Sequence, residues 1–483
     1  MFNQIHDECG VFGIYAPDVE GAGANVDVAS ACYYGLFSLQ HRGQESCGIV
    51  VNDEGVMSSY KDAGLVNDVF TKEVLHRLGH GRIAIGHVRY GASGTDPRLN
   101  AQPMLISHIH GVMALAFNGC LTNAPELREE LEQGGSVFHT TSDLELIAGV
   151  IIKERLSSSS VEEAVVRSIP RLRGAFSIVA MSAKKLIAAR DPLGFRPLCI
   201  GQIDKAVVFA SESCALDSVG ATLVRDIEPG EVVMVDEGGG MHSDRTHCST
   251  GKKAICAFEF IYIARPDSVL DGSSVHSARM RAGSFLALEH PVQADVVIGV
   301  PDTGIDAAIG YSKQSGIPYD IGFIKSKYIG RTFIHPGQSQ REDRVRIKLN
   351  VISQVVKGKR VVVIDDSIVR GTTTLRTVRL LKEAGAVEVH MRICSPPFTH
   401  LCHYGTDIDS PENLIANHHT TEEIAKILGA DSLGYLNINH LCMLTESTHC
   451  GFCDACFTGD YPTEVPSAPV KYKYQQKCRR NDL

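Results

Sequence analysis

The sequence predicts two domains of different class in series: an α+β domain of short strands, then an α/β domain built on a parallel sheet. Two observations predict this. Up to about residue 240, short strand-like runs such as FSIVAMS and EVVMVD recur. From about residue 250, apolar runs alternate with longer helical stretches, as in ADVVIGVPDTGIDAAIGYSKQSG and KRVVVIDDSIVRGTTTLRTVRLLKEAG. That second pattern belongs to parallel strands joined by crossover helices. Between the two, EGGGMHSDRTHCSTGKK (237–253) is glycine-rich, polar and weakly periodic, and reads as the passage between domains.

A chain of 483 residues is long enough for several cores, and 44% hydrophobic with 21% charged residues is ordinary globular composition. A net charge of −9 with no long basic run argues against nucleic acid as a partner. There is no apolar run of bilayer-spanning length and no secretory signal pattern at Met1, so the expected location is the cytoplasm, with no membrane partner. Fifteen cysteines is then a high count, because a reducing compartment disfavours disulfides. Metal ligation or catalysis should claim some of them, and most of the rest should be small buried apolar residues.

At the first strand-like run, CGVFGIY, Cys9 stands after eight polar-rich residues. It reads either as a buried thiol at a strand edge or as the first residue left when 1–8 are removed. In the second case its α-amino group, with a pKa of about 7.7–8.0, can serve as base for its own thiol. One residue would then supply nucleophile and base.

In the second half, Val361 to Ile364 read as a strand buried on both faces, ending in the acids Asp365 and Asp366. A hydroxyl-rich turn from Ser367 follows, with Gly371 where the backbone must be permissive, and then a helical pattern in Leu375, Val378, Leu381 and Ala384 that stops at Gly385. A helix start offers free N–H groups to an anion, and Thr372, Thr373 and Thr374 can add hydroxyl donors. The acids can accept from vicinal sugar hydroxyls or sit near Mg²⁺. The pattern therefore suits one phosphate and one ribose together, and it is not a Walker A loop.

The string VVVIDDSIVRGTTT closely resembles the phosphoribosylpyrophosphate (PRPP) motif of type I phosphoribosyltransferases. The first half carries a second resemblance through GLFSLQHRGQESCGI, GHVRYGASG, FNGCLTN, TTSDLELI, RGAFSIV, ARDPLGFRPL, SESCALD and DIEPGEV. Together these are similar to the N-terminal-nucleophile (Ntn) hydrolase, class II glutamine amidotransferases. That resemblance implies an αββα sandwich, two stacked antiparallel sheets between helices. It implies that Cys9 attacks the glutamine amide, that Asn118 and the N–H of Gly119 stabilise the oxyanion, that Arg89 takes the α-carboxylate and that Asp143 takes the α-amino group. Gly91 and Ala92 depart from the Ser-Thr usual after the Arg-Tyr pair, and Leu144 from a small polar residue. Cys32, Cys47 and Cys120 lie near these motifs and are expected to be buried thiols.

For the second half, the resemblance implies PRPP contacts from Asp365, Asp366, Ser367, Arg370, Gly371, Thr372, Thr373 and Thr374. It places Thr303, in the Pro-Asp-Thr-Gly turn after a second strand, near Mg²⁺ together with Asp365 and Asp366. The long basic segment 325–350 resembles a loop that closes over PRPP, with Lys325, Lys327 and Arg331 as phosphate contacts. The double CxxC run in HCGFCDACFTG fits zinc or an iron–sulfur cluster on residues alone. The resemblance to glutamine PRPP amidotransferases with a cleaved leader implies one [4Fe–4S] cluster on Cys256, Cys402, Cys450 and Cys453, with Cys394, Cys442 and Cys456 spare.

The expected organisation is a propeptide at 1–8, a glutaminase domain at 9–240, a phosphoribosyltransferase domain with the iron–sulfur site at 250–465 and a tail at 466–483. The expected reaction hydrolyses glutamine and passes the ammonia to PRPP, giving 5-phosphoribosylamine, the first step of purine synthesis, with one Mg²⁺ and one cluster per subunit. Purine nucleotides are expected as feedback inhibitors and a dimer or tetramer as the assembly. The competing classes are another Ntn amidotransferase sharing only the first half, and a non-catalytic nucleotide-sensing regulator of phosphoribosyltransferase fold.

Overall fold

A computed structural model describes residues 9–17, 26–91, 96–248, 253–326, 349–406, 408, 410–446 and 451–466. The leader 1–8, Ala92, Lys327, Arg331, Cys450 and all but the first residue of the tail lie outside that set.

The first half is two antiparallel sheets. One has seven strands in the order Thr222–Asp226, Cys199–Ile203, Ala206–Ala210, Gly10–Tyr15, Ile83–Arg89, Ser46–Asp53, Val56–Ala63. The other has six, in the order Met241–Asp244, Val232–Val235, Leu186–Arg190, Gly174–Met181, Gly111–Leu121, Met104–His108. Strand Gly10–Tyr15 shows how the layers form. Its side chains alternate faces. Val11 and Tyr15 join Ile85, Ala116 and Val179 in the core between the sheets. Phe12 and Ile14 pack outward with Cys32 and Leu36 of the helix Val28–Ser38. The second sheet is covered in the same way by Leu127, Ile147, Val150 and Val165 from three helices. The arrangement is the expected αββα sandwich. Cys32, Cys47 and Cys120 are buried, as expected.

The sandwich runs past the expected boundary at residue 240. Strand Met241–Asp244 pairs with Val232–Val235, so the glycine run between them is a hairpin turn and not a linker. The Asp236 carboxylate explains the turn, because it accepts from the N–H groups of Gly238 and Gly240, each at 2.9 Å.

In the second half, four parallel strands lie in the order Val296–Gly299, Arg360–Asp365, Glu388–Ile393, Ser432–Tyr435. Val297, Val362 and Ile364 face a core shared with helices Val275–Glu289 and Gly304–Ser315. Val361 and Val363 face the opposite core with Val378, Leu381 and Ile424 of helices Thr372–Glu383 and Thr421–Leu428. Burial on both faces is why these strands read as continuous apolar runs. A short parallel pair, Ala254–Cys256 with Gly451–Cys453, sets Cys256 opposite Cys453. No helix among the described residues is long and apolar enough to cross a membrane.

Candidate functional site

Two sites and one cysteine chamber follow from this frame. In the first half, Cys9 directly precedes strand Gly10–Tyr15, and the register Gly10↔Val88 sets it at the Arg89 end of the neighbouring strand. Its Sγ lies 3.7 Å from the carbonyl oxygen of Tyr90. Burial pushes the Cys9 thiol up, against the pull of the nearby Arg89 guanidinium. The thiol is therefore protonated at neutral pH and needs a base to become a nucleophile. Gly91 lies tight against the same arginine: a Cβ there would stand 2.4 Å from Arg89 Nη1 and 2.1 Å from Glu45 Oε2. The departure from the family pattern at Gly91 thus leaves room for the Arg89 fork.

His87 connects this strand to the other sheet. Burial lowers its pKa to about 3, so the ring is neutral, and Nε2–H donates to the Phe117 carbonyl at 2.9 Å. The next residue, Asn118, is fully buried. Neither atom of its side-chain amide has a hydrogen-bond partner among the described residues. A buried amide left unpaired costs free energy unless something else uses it. Gly119 follows with φ of +139°, and a Cβ there would lie 2.1 Å from the Ala175 carbonyl oxygen, so only glycine fits. Asp143 opens helix Asp143–Arg155, and its Oδ2 accepts from the N–H of Leu121 at 2.9 Å. Asp143 is thereby tied to the strand that carries Asn118. Leu144 is fully buried in the helix core.

The second site lies at the carboxyl ends of two neighbouring parallel strands, where ligands of open sheets gather. Val300 N–H donates to the Ile364 carbonyl at 2.8 Å, which brings the Pro-Asp-Thr-Gly turn beside the acid pair. Thr303 Oγ1 donates to Asp366 Oδ2. Ser367 Oγ donates to Asp366 Oδ1 at 2.5 Å, and the Asp366 N–H donates to Asp365 Oδ1 at 3.0 Å. Burial raises both carboxyl pKa values, Asp365 further because Asp366 stands next to it. Such a pair is short of positive charge. Gly371, at φ +79°, turns the chain into helix Thr372–Glu383. Thr372 and Thr373 are exposed at its start, Arg370 is half-buried, and Thr374 is buried. Lys325 pairs with Asp302 of the same turn.

The chamber is a small, mostly apolar pocket lined by Cys256, Cys402, Cys453 and Cys456, with Phe195, Phe258, Phe398 and Tyr404 around them. Cys256, Cys402 and Cys453 were expected together and the structure brings them together. Cys456 lines the same space. Burial raises the Cys453 and Cys456 thiols, and the neighbouring thiols raise them further. The Tyr404 N–H points at Cys402 Sγ at 3.4 Å, the kind of contact that tunes thiolate ligands. Cys394 is buried elsewhere and Cys442 is exposed. Among the described residues, no three His, Cys, Asp or Glu side chains converge on a point that would hold a single metal ion. The acid pair offers two carboxylates and one hydroxyl, and Mg²⁺ characteristically takes one or two carboxylates with substrate oxygens and water. The four cysteines that line one small pocket are a donor set of the kind an iron–sulfur cluster takes.

Single-residue reasoning on the sequence misses His87, Arg42, Glu212 and Glu259, although the first three lie inside motif strings that carry the resemblance. The signal for those three is position within the strings, because a buried polar side chain leaves no periodicity, and Glu259 carries no such signal.

Residues 87–218 match the glutamine amidotransferase domain model, and residues 276–394 match the phosphoribosyl transferase domain model. An amidophosphoribosyltransferase of Bacillus subtilis is 47% identical over 466 residues, 95% of each chain. One from Methanocaldococcus jannaschii is 45% identical over 470 residues, 95% of this chain and 98% of its own. The solved glutamine PRPP amidotransferase of B. subtilis, complexed with ADP and GMP, superposes with a TM-score of 0.86 at 47% identity over 95% of this chain and 98% of that one.

Proposed function

The chain belongs to the amidophosphoribosyltransferase family, and on that premise we propose that Cys9 and the Asp365–Asp366 pair carry the two halves of its reaction. The enzyme hydrolyses glutamine in its first domain and transfers the ammonia to PRPP in its second, giving 5-phosphoribosylamine, glutamate and pyrophosphate. Similarity over 95% of the chain separates it from amidotransferases that share only the first half.

Removal of residues 1–8 frees the Cys9 α-amine, which takes the thiol proton directly or through water. The thiolate attacks the glutamine amide carbon, the α-ammonium returns its proton to the leaving nitrogen, ammonia departs as the thioester forms, and water then cleaves the thioester to release glutamate. Asn118 Nδ2 and the Gly119 N–H receive the negative charge that builds on the carbonyl oxygen. The fully buried Asn118 Nδ2, a donor with no hydrogen-bond partner among the described residues, is the single observation that carries this reading, because a developing oxyanion would accept from it. Arg89 holds the substrate carboxylate and Asp143 its α-amino group, which selects glutamine over a simple amide.

At the second site the Asp365–Asp366 pair holds the ribose hydroxyls, while Ser367, Arg370, Gly371, Thr372, Thr373 and Thr374 enclose the 5-phosphate at the helix start. Buried Thr374 does so through its backbone. Thr303, Asp365 and Asp366 would hold one Mg²⁺ with the pyrophosphate, and their shared hydrogen bond and deficit of positive charge support this. Bound there, Mg²⁺ supplies neutralising charge to the departing pyrophosphate. Lys325 has a partner in Asp302, which it would exchange for substrate phosphate.

One [4Fe–4S] cluster would sit in the chamber. The lining supports Cys256, Cys402, Cys453 and Cys456 as its ligands, with Cys456 in the place that the resemblance gives to Cys450. It would act as a structural tie between the chain's last segment and the second domain. Purine nucleotides as feedback inhibitors are supported by the B. subtilis relative solved with ADP and GMP. A homo-oligomer, dimer or tetramer, belongs to the same proposal.

Glutamate release measured with and without PRPP tests the reading, together with N-terminal sequencing of the purified enzyme. PRPP-dependent glutamate release from a chain beginning at Cys9 is expected. Full activity from a chain still beginning at Met1 contradicts it.

A further inference from the structure

Arg42 is buried completely, and it joins the nucleophile's backbone to the second domain. Its Nε–H donates to the Cys9 carbonyl oxygen at 3.1 Å. Its Nη1 donates to Glu212 Oε1 at 2.5 Å and to Glu259 Oε2 at 2.9 Å, and its Nη2 donates to Glu259 Oε1 at 2.6 Å. The three side chains have 0% exposure. Glu212 belongs to the first domain. Glu259 belongs to the second, where it opens the turn Glu259–Ile263, three residues beyond Cys256.

The charges balance within the cluster. Arg196 Nη1 lies 3.4 Å from Glu259 Oε1, and His41 Nε2 lies 2.7 Å from Glu212 Oε1. Burial opposes ionisation of Glu212, but His41 and Arg42 outweigh it and hold that carboxyl well below its usual range. Arg196 also donates to the Tyr404 carbonyl at 2.7 Å, so the cluster reaches the wall of the cysteine chamber.

We propose that Glu259 is a positioning residue for Cys9, acting across the domain boundary through Arg42. The first site is then complete only when the second domain is docked on it. The inference rests on Cys9 being the nucleophile. Strand pairing fixes the chain from Gly10 onward. The Arg42 bond fixes the Cys9 carbonyl, and with it the direction in which the amine and thiol leave the Cα. The bidentate Glu259 fork sets the plane of the guanidinium and so aims Nε. A nucleophile and base on one residue depend on that aim, because small misplacements of reacting groups cost large factors in rate. Glu212 alone reaches only Nη1 and cannot set the plane.

The test compares full-length wild type with Glu259→Gln, Glu259→Asp and Arg42→Lys. Each is assayed for glutamine hydrolysis, for synthesis from free ammonia at the second site, and for the rate at which iodoacetamide alkylates Cys9, read by mass on the Cys9 peptide. Glu259→Gln should lower kcat for glutamine roughly tenfold with little change in KM. It should slow Cys9 alkylation by a similar factor and leave ammonia-dependent synthesis intact. Glu259→Asp should recover part of the loss. Arg42→Lys keeps a positive charge but loses the Nε bond, and should reproduce the kcat loss. If Glu259→Gln and Arg42→Lys keep wild-type kcat and alkylation rates, the proposal is overturned. Parallel loss of both activities also overturns it, since that is a purely structural role. The premise fails separately if wild-type enzyme alkylated at Cys9 still hydrolyses glutamine.

Discussion

The Thr303 hydroxyl donates to the Asp366 carboxylate, and so joins the loop after one parallel strand to the acid pair after the next. Removing that donor leaves a half-buried carboxylate one bond short, a cost of about 1 kcal/mol. Thr303→Val should therefore raise the Mg²⁺ and PRPP concentrations needed for half-maximal ammonia-dependent synthesis, by several-fold. Titration of both in that assay checks it, and unchanged half-saturation would count against Thr303 as part of the site.

Among the described residues, the buried Asn118 amide has no hydrogen-bond partner. Asn118→Ala should lower kcat for glutamine by about 10²–10³, the loss expected for one oxyanion donor, with KM little changed. Steady-state glutaminase kinetics read this directly. A change in KM alone would mean that Asn118 binds substrate equally in ground and transition states.

His87 makes stability pH-dependent. Its pKa is lowered to about 3 in the fold, against 6.5 for the free side chain. The unfolded chain therefore binds more protons between those values. The stabilisation is complete above about pH 6.5 and is lost as pH falls, at up to about 1.4 kcal/mol per unit. His87→Gln keeps a donor for the Phe117 carbonyl and removes the titration. Urea midpoints from pH 5 to 7 should fall more steeply with acid for wild type than for His87→Gln, and equal slopes would contradict the assignment.

Four described cysteines, Cys256, Cys402, Cys453 and Cys456, line the chamber and suffice for one cluster. Anaerobically purified Cys456→Ser should contain little iron or sulfide, whereas Cys450→Ser should keep near-wild-type content and its visible absorbance. The reverse outcome would restore Cys450 as the fourth ligand.

Both domain classes are legible in the sequence, for a physical reason. Strands covered on both faces, such as Arg360–Asp365 between Val362 and Ile364 on one side and Val361 and Val363 on the other, must be apolar throughout. The helix after Gly371 shows itself through Val378 and Leu381, which sit on one buried face. The glycine run 238–240 misleads, because glycine marks a hairpin turn as readily as a linker and only the Asp236 cap tells them apart. Site residues with backbone or sequence-local roles, such as Cys9, Gly119 and Asp366, are visible within short motifs. The Arg42 cluster is not, because its partners Glu212 and Glu259 lie 170 and 217 residues away in the chain.

The most direct measurement is glutamine-dependent phosphoribosylamine formation by Cys9→Ser, set beside its ammonia-dependent rate. Loss of the first with retention of the second is the predicted result. Undiminished glutamine-dependent synthesis by Cys9→Ser would contradict the account.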